Sequence, residues 1–352
     1  MNLPLSLGAP ASRRPLASLF FNIRRNDIFE AFSVPCLFEM SRGLRFVPEG
    51  ALVEVTVRTS QSRLLLRPGP AVNEIILGVL GRAQRLCPVR CCSVVFMSNH
   101  WHALLQVDDA LQLARFMQHV DGNLSGEIGR PEIHDWPHTM WSRRYQSIVV
   151  SDEPAAQIER LRYHLAHGVK EGLVDRVKQW PGVHFAKSIL GSKPLKGLWF
   201  NRTEEYAAKN RGEDFGRLKY AEEEELVLSQ LPCWADLTPE QYRERIAELV
   251  EEIEAEARAD REARGVEPLG VEAILRQDPH TRPNQTKKSP APGYHAATKA
   301  ARKSFWESYS AFVTVFREAA EKLKTGEWPV SFPLGSFPPG LPFVNAYPSL
   351  PP

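Results

Sequence analysis

What most constrains the fold of this chain is the order in which its apolar residues change period between residues 51 and 168. "ALVEVTVRT" (51–59) alternates, with Val53, Val55 and Val57 on one side and Leu52, Glu54 and Thr56 on the other. That pattern predicts a strand with one dry face. In "AVNEIILGVLGRAQRL" (71–86), Val72, Ile75, Ile76, Val79 and Leu80 fall at helical spacing. "VRCCSVVFM" (89–97) is β-branched and short, and Ser98-Asn99 is a turn signal leading into a partner strand, "HWHALLQV" (100–107). "LQLARFMQHVDGNLS" (111–125) predicts a second helix, interrupted at Gly122-Asn123. "RYQSIVVS" (144–151) predicts a fourth strand, and "EPAAQIERLRYHLAHG" (153–168) a helix opened by Pro and closed by Gly. Strand–helix–strand–strand–helix–strand–helix implies an α+β, ferredoxin-like sandwich with a mainly antiparallel sheet.

Beyond about residue 200 the character changes. Lys and Arg outnumber Asp and Glu by 20 to 14 over 41–200, are outnumbered 10 to 19 over 201–270, and lead 10 to 6 over 271–352. "AEEEELVLSQL" and "PEQYRERIAELVEEIEAEARADREARG" (239–265) read as charged helices, and "ATKAARKSFWESYSAFVTVFREAAEKLKTG" (297–326) as a long amphipathic one. The expected organisation is a poorly ordered extension over 1–40, with Met40 a plausible true beginning; a main domain over 41–200; an acidic helical region over 201–270; and a basic helical segment with a Pro- and Phe-rich tail over 271–352. The last two make a mostly helical C-terminal extension. In it Lys287, Lys288, Lys299, Arg302 and Lys303 form a basic stretch, and Trp306, Phe312, Phe316 and Leu323 would pack on the first domain. No apolar run reaches the roughly 18 residues of a membrane span, and the five cysteines show no C-x-x-C spacing. A reduced cytoplasmic setting is expected.

On a strand, residues i and i+2 share a side. His100 and His102 therefore face together, while Trp101, Ala103, Leu105 and Val107 face the core. Two imidazoles on one pleat can grip one metal ion; packing or chance is the bland alternative. On the 153–168 helix, Ile158, Leu161 and Leu165 form the apolar stripe, and Arg160, Tyr163 and His167 fall together on the opposite, outward side. Tyr163 and His167 are i and i+4, hence neighbours. A solvated face carrying an amphipathic tyrosine would look the same.

These blocks resemble the REP-associated tyrosine transposases, an IS200-like branch of the single-tyrosine HUH transposases. "MSNHWHALL" reproduces that branch's Met-x-Asn-His-x-His-x-Leu with Met97, Asn99, His100, His102 and Leu104. "MWSRRYQSIVV" (140–150) is similar to its Trp-x-x-Arg-Tyr strand, and "YHLAHGVKEGLV" (163–174) to its tyrosine element, with Tyr163, Val169, Gly172, Leu173 and Val174 matching. The family's Asn-Pro after the tyrosine is His167-Gly168 here, and nothing after about 200 aligns.

The resemblance implies an HUH endonuclease fold and an enzyme that cuts and rejoins single-stranded DNA, at REP-like hairpins, through a 5′-phosphotyrosine. It implies Tyr163 as nucleophile, and His100 and His102 as ligands of Mg²⁺ or Mn²⁺, with His167 filling the family's third-ligand position. Arg143, Arg144, Arg160 and Asn99 are candidate DNA contacts, and Trp136 and Trp141 candidate stacking partners for unpaired bases, with Trp101 left in the core. Single-stranded or hairpin DNA is the expected partner, a homodimer an open arrangement, and the bacterial nucleoid the expected location. A domesticated hairpin-binding protein that no longer cuts, and a metal-dependent hydrolase, are the competing readings.

Overall fold

The computed structural model describes residues 43–213, 216–283, 293–341 and 344–345; the expected 1–40 extension and the Lys287-Lys288 pair lie outside them. From Leu44 onward the chain forms one compact unit.

The predicted order holds. Strand β1 (Leu52–Arg58) is followed by helix α1 (Pro70–Leu86), the hairpin β2 (Arg90–Met97) and β3 (His100–Gln106), helix α2 (Ala110–Ile128), strand β4 (Gln146–Val150) and helix α3 (Pro154–Leu165). The strands lie in the order β2-β3-β1-β4, each antiparallel to its neighbours. This is the ferredoxin-like plan, α+β with a mainly antiparallel sheet. Val53, Val55, Val57, Trp101, Ala103 and Leu105 make the dry face and share one core with Ile75, Ile76 and Val79 of α1 and Leu113, Phe116 and Met117 of α2. Trp101 is fully buried and stacks on Phe96 with ring centroids 5.0 Å apart. Helix α3 packs on β2, β3 and β4.

Helix α2 runs unbroken through Gly122-Asn123, contrary to the expected interruption. A side chain at 122 would meet open space, and the Asn123 amide donates to the His119 carbonyl at 2.8 Å, so neither residue disturbs the ladder.

The change of composition at 200 is not a break in the structure. After the short helix α4 (Ala186–Gly191), strand β5 (Leu195–Phe200) leads through α5 (Arg202–Asn210) into β6 (Ala221–Leu226), and the two strands pair antiparallel. β6 is "AEEEEL", expected to be helical. Tertiary pairing overrides a propensity worth only tenths of a kcal/mol, ~0.5 per residue. Alternation turns Glu224 and Leu226 inward, and the buried Glu224 carboxylate meets Arg85 at 2.7 Å and Arg82 at 3.0 Å on α1.

Helix α6 (Pro239–Arg264) opens on a Thr238 capping box and buries Ile246, Val250 and Ile253. After α7 (Val271–Arg276), the short strand β7 (Tyr294–His295) adds parallel to β4, and α8 (Lys299–Thr325) follows. On α8, Phe312 stacks on Phe46 at 4.5 Å, while Phe316 and Leu323 join a small second core with Val330 and Phe332. Trp306, expected to pack inward, is 45% exposed. Strands β8 (Val330–Ser331) and β9 (Val344–Asn345) pair parallel in the Pro- and Phe-rich tail. Among the described residues no helix is long and apolar enough to cross a membrane.

Candidate active site

The second face of the sheet carries the predicted site residues. β1 presents Glu54, Thr56 and Arg58, and the register sets Thr56 against His102 and Arg58 against His100. Across the same pleat the His100 and His102 rings lie 5.1 Å apart.

Helix α3 lies over this face with its polar arc inward. That corrects the outward placement expected for Arg160, Tyr163 and His167. His164 is 0% and His167 1% exposed, Tyr163 and Arg160 are half-buried, and Leu161 and Leu165 pack to one flank. The reason is that the facing strands are polar here. Arg160 Nη1 reaches Glu54 Oε2 at 3.4 Å, and His164 Nε2 reaches Glu54 Oε1 at 3.3 Å. The His167 ring centroid is 4.6 Å from His102 and 5.8 Å from His100. The Tyr163 ring is 4.7 Å from His167 and 5.6 Å from His102. One turn of helix thus brings the phenol and a third imidazole onto the strand pair. The helix stops at Leu165, short of the expected 168, and Gly168, at φ +88°, lies in the turn that follows, where a side chain would press on the Trp180 ring at 3.3 Å.

His100, His102 and His167 each offer a ligand atom, and these atoms lie within 4.8 Å of one another. Each imidazole is engaged at Nδ1. His167 donates to the Tyr163 carbonyl at 2.8 Å, and His100 to Asn99 Oδ1 at 2.6 Å. His102 Nδ1 meets Thr56 Oγ1 at 2.9 Å and Glu54 Oε1 at 3.3 Å. An acceptor at Nδ1 fixes the tautomer and leaves the Nε2 lone pair for a metal. The rings are also kept neutral. Burial pushes His102 down to about 4 despite its bond to Glu54, and burial with the neighbouring imidazole charges holds His100 and His167 well below the usual range. A buried set of three neutral nitrogen donors fits a divalent cation.

Glu54 is a member of the candidate site that sequence reasoning missed. At 2% exposure, burial alone would raise its carboxyl, but hydrogen bonds from His102 and His164 outweigh burial and hold it well below the usual carboxylate range. Behind it, Ser93 Oγ meets His164 Nδ1 at 2.7 Å. The available signal was an acid inside the β-branched "LVEVTVR". One strand does not reveal which helix covers its polar side.

The expected DNA contacts fall into separate places. Asn99 turns inward, accepting from His100 and donating to the Ser62 carbonyl at 3.2 Å, so it orients a ring. Arg160 is committed to Glu54 and Glu159. Arg143 and Arg144 are exposed on the approach to β4. Trp141 donates to the Asp121 carbonyl at 2.9 Å, and Trp136 lies half-buried under Arg63. Two further cations border Tyr163 unforeseen. Lys170 Nζ sits 3.5 Å from the phenol ring centroid, and Arg58 is within electrostatic reach of it. Burial, with Glu54 and Glu171 nearby, raises the Tyr163 phenol above its ordinary value, so at rest it is a weaker acid than a free tyrosine.

Residues 66–162 match the family model described as "Transposase IS200 like". The resemblance first read from the quoted blocks is thus shared by an independent match, which includes both strand histidines and stops one residue before Tyr163. No curated protein matches the chain. Among solved structures, a REP-associated tyrosine transposase bound to a REP hairpin is similar at 18% identity, over 44% of this chain and 90% of that one, with a TM-score of 0.35. A transposase candidate from Deinococcus radiodurans is similar at 17% identity, over 35% of this chain and 95% of that one, with a TM-score of 0.25.

Proposed function

We propose, with the IS200-like transposase match over 66–162 as premise, that this chain is a DNA strand transferase that cuts and rejoins single-stranded or hairpin DNA through Tyr163. The observation that carries the proposal is the packing of the Tyr163 ring against the His102 and His167 imidazoles of its own chain.

His100, His102 and His167 would hold the ion through Nε2. A bound divalent ion supplies Lewis-acid polarisation of a non-bridging phosphate oxygen. Three nitrogen donors favour Mn²⁺ over the oxygen-seeking Mg²⁺. Tyr163 Oη attacks phosphorus and the P–O3′ bond breaks, with the phenolic proton passing through solvent to the 3′-oxygen, which leaves as a hydroxyl. The 5′-phosphotyrosine conserves the diester, so a second 3′-hydroxyl reverses the step and joins strands. The substrate would place the protein on the nucleoid.

Single-stranded oligonucleotides with Mn²⁺ test this. An SDS-resistant protein–DNA adduct is expected from the native chain and none from Tyr163→Phe. Cleavage without an adduct would support a metal-dependent hydrolase instead. Tight binding without cleavage would support a domesticated hairpin-binding protein.

A further inference from the structure

Arg58 ends β1 directly beside the candidate metal site and is half-buried there. A half-buried guanidinium normally finds a carboxylate. The other two cations around the phenol do: Arg160 pairs with Glu54 at 3.4 Å, and Lys170 with Glu171 at 3.6 Å. Among the described residues no ion pair and no side-chain hydrogen bond holds Arg58. Its electrostatic neighbours are instead the neutral Tyr163 phenol, the neutral His100 imidazole and the like-charged Arg143. So a guanidinium with no carboxylate partner among the described residues stands beside the candidate metal site, with the Tyr163 phenol and the exposed Arg143 within electrostatic reach. Arg58 and Arg143 repel each other, and a bound cation would add to that repulsion until an anion enters.

We propose that Arg58 is a catalytic residue that grips the scissile phosphodiester, its planar fork taking the non-bridging oxygens opposite the ion, with Arg143 receiving a neighbouring phosphate of the strand. This rests on the strand-transferase reading and adds to it a residue that the sequence placed on the first strand without a role. The guanidinium already stands half-buried beside the site before the diester arrives, so it stabilises charge that grows as the phosphorus becomes five-coordinate. Arg143 serves binding alone.

The test compares Arg58→Ala, Arg58→Lys and Arg143→Ala as full chains with Mn²⁺ and one single-stranded oligonucleotide that the native protein cuts. At saturating oligonucleotide, adduct formation by Arg58→Ala is expected to slow by about 10²–10³-fold. Oligonucleotide affinity measured in a Tyr163→Phe background should change by only about threefold, since one phosphate contact among many is lost. Arg58→Lys recovers part of the rate because it keeps the charge and loses the fork. Arg143→Ala weakens binding and leaves the saturated rate intact. Without DNA, Arg58→Ala should bind Mn²⁺ about two- to tenfold more tightly, since a neighbouring positive charge is gone; a merely structural arginine would not produce that shift. A saturated rate within about threefold of native for Arg58→Ala, with Mn²⁺ affinity unmoved, overturns the assignment. If the native chain forms no adduct on any strand, the strand-transferase reading fails first and the Arg58 role falls with it.

Discussion

Glu54 shows how a single buried charge organises this site. Its carboxylate meets two imidazoles and a guanidinium, and one of those imidazoles is a candidate metal ligand. Removing the charge while keeping the shape isolates that role. Glu54→Gln is expected to weaken Mn²⁺ binding by about 10–100-fold, as loss of such supporting partners does elsewhere, and titration of free Mn²⁺ by electron paramagnetic resonance measures it. An unchanged affinity would show that Thr56 alone orients His102. His184 tests burial apart from the metal. It is fully buried against β2, and burial holds its imidazole down at about 3. A depressed folded-state value means that the unfolded chain takes up the proton first. The stability tied to this group is therefore complete above about pH 6.5 and lost as pH falls toward 3, at up to about 1.4 kcal/mol per pH unit. Urea denaturation across pH 7 to 4 should show that slope on top of those of the other depressed histidines, and His184→Gln should make it shallower by up to about 1.4 kcal/mol per pH unit. At this scale the sequence was most legible where geometry is local. His100 and His102 share a pleat and Tyr163 and His167 share a helix turn, whatever surrounds them. Glu54, His164, Ser93 and Arg58 gain meaning only from partners in other elements, which no spacing rule reaches.

Helix α1 is caught between the sheet and the β5–β6 hairpin, and its two glycines face that hairpin. A Cβ at Gly78 would lie 2.1 Å from the Leu198 carbonyl carbon, and one at Gly197 would lie 2.1 Å from the Glu74 carbonyl oxygen. Backbone meets backbone here, so no rotamer relieves the clash. Gly78→Ala is expected to cost at least about 1–3 kcal/mol by overpacking, read as a lower melting temperature, while adduct formation per folded molecule stays near native because the site lies on the other face of the sheet. The same contact explains why "AEEEEL" was misread. Its helix-forming glutamates become a strand because Leu195–Phe200 supplies a partner and Arg82 and Arg85 supply the counter-charge. In contrast, the β1–α3 elements were readable because each carries its own apolar period, α1 and α3 open on a proline, and α2 is capped by Asp109.

Across the whole molecule, the part with no counterpart in the recognised blocks holds the tyrosine helix in place. Arg162 on α3 pairs with Glu252 and Glu256 of α6, and the Leu269 and Gly270 amides donate to the Gly172 and Leu173 carbonyls at 2.9 Å each. Arg261 pairs with Asp175 in the same loop. With α3 pinned on its own sheet, a complete set of candidate groups sits in one chain. Mixing Tyr163→Phe with His102→Ala should therefore restore no cleavage, whereas recovery toward half the native activity would mean that the helix serves a neighbouring copy. Most direct of all is identification of the residue that carries DNA. The native chain, incubated with a single-stranded oligonucleotide and Mn²⁺, is digested with protease and nuclease, and the modified peptide is sequenced by mass spectrometry. The expected result is a 5′-linked nucleotide on Tyr163 alone, lost when Mn²⁺ is chelated beforehand; a nucleotide on any other residue, or an adduct indifferent to chelation, contradicts the account.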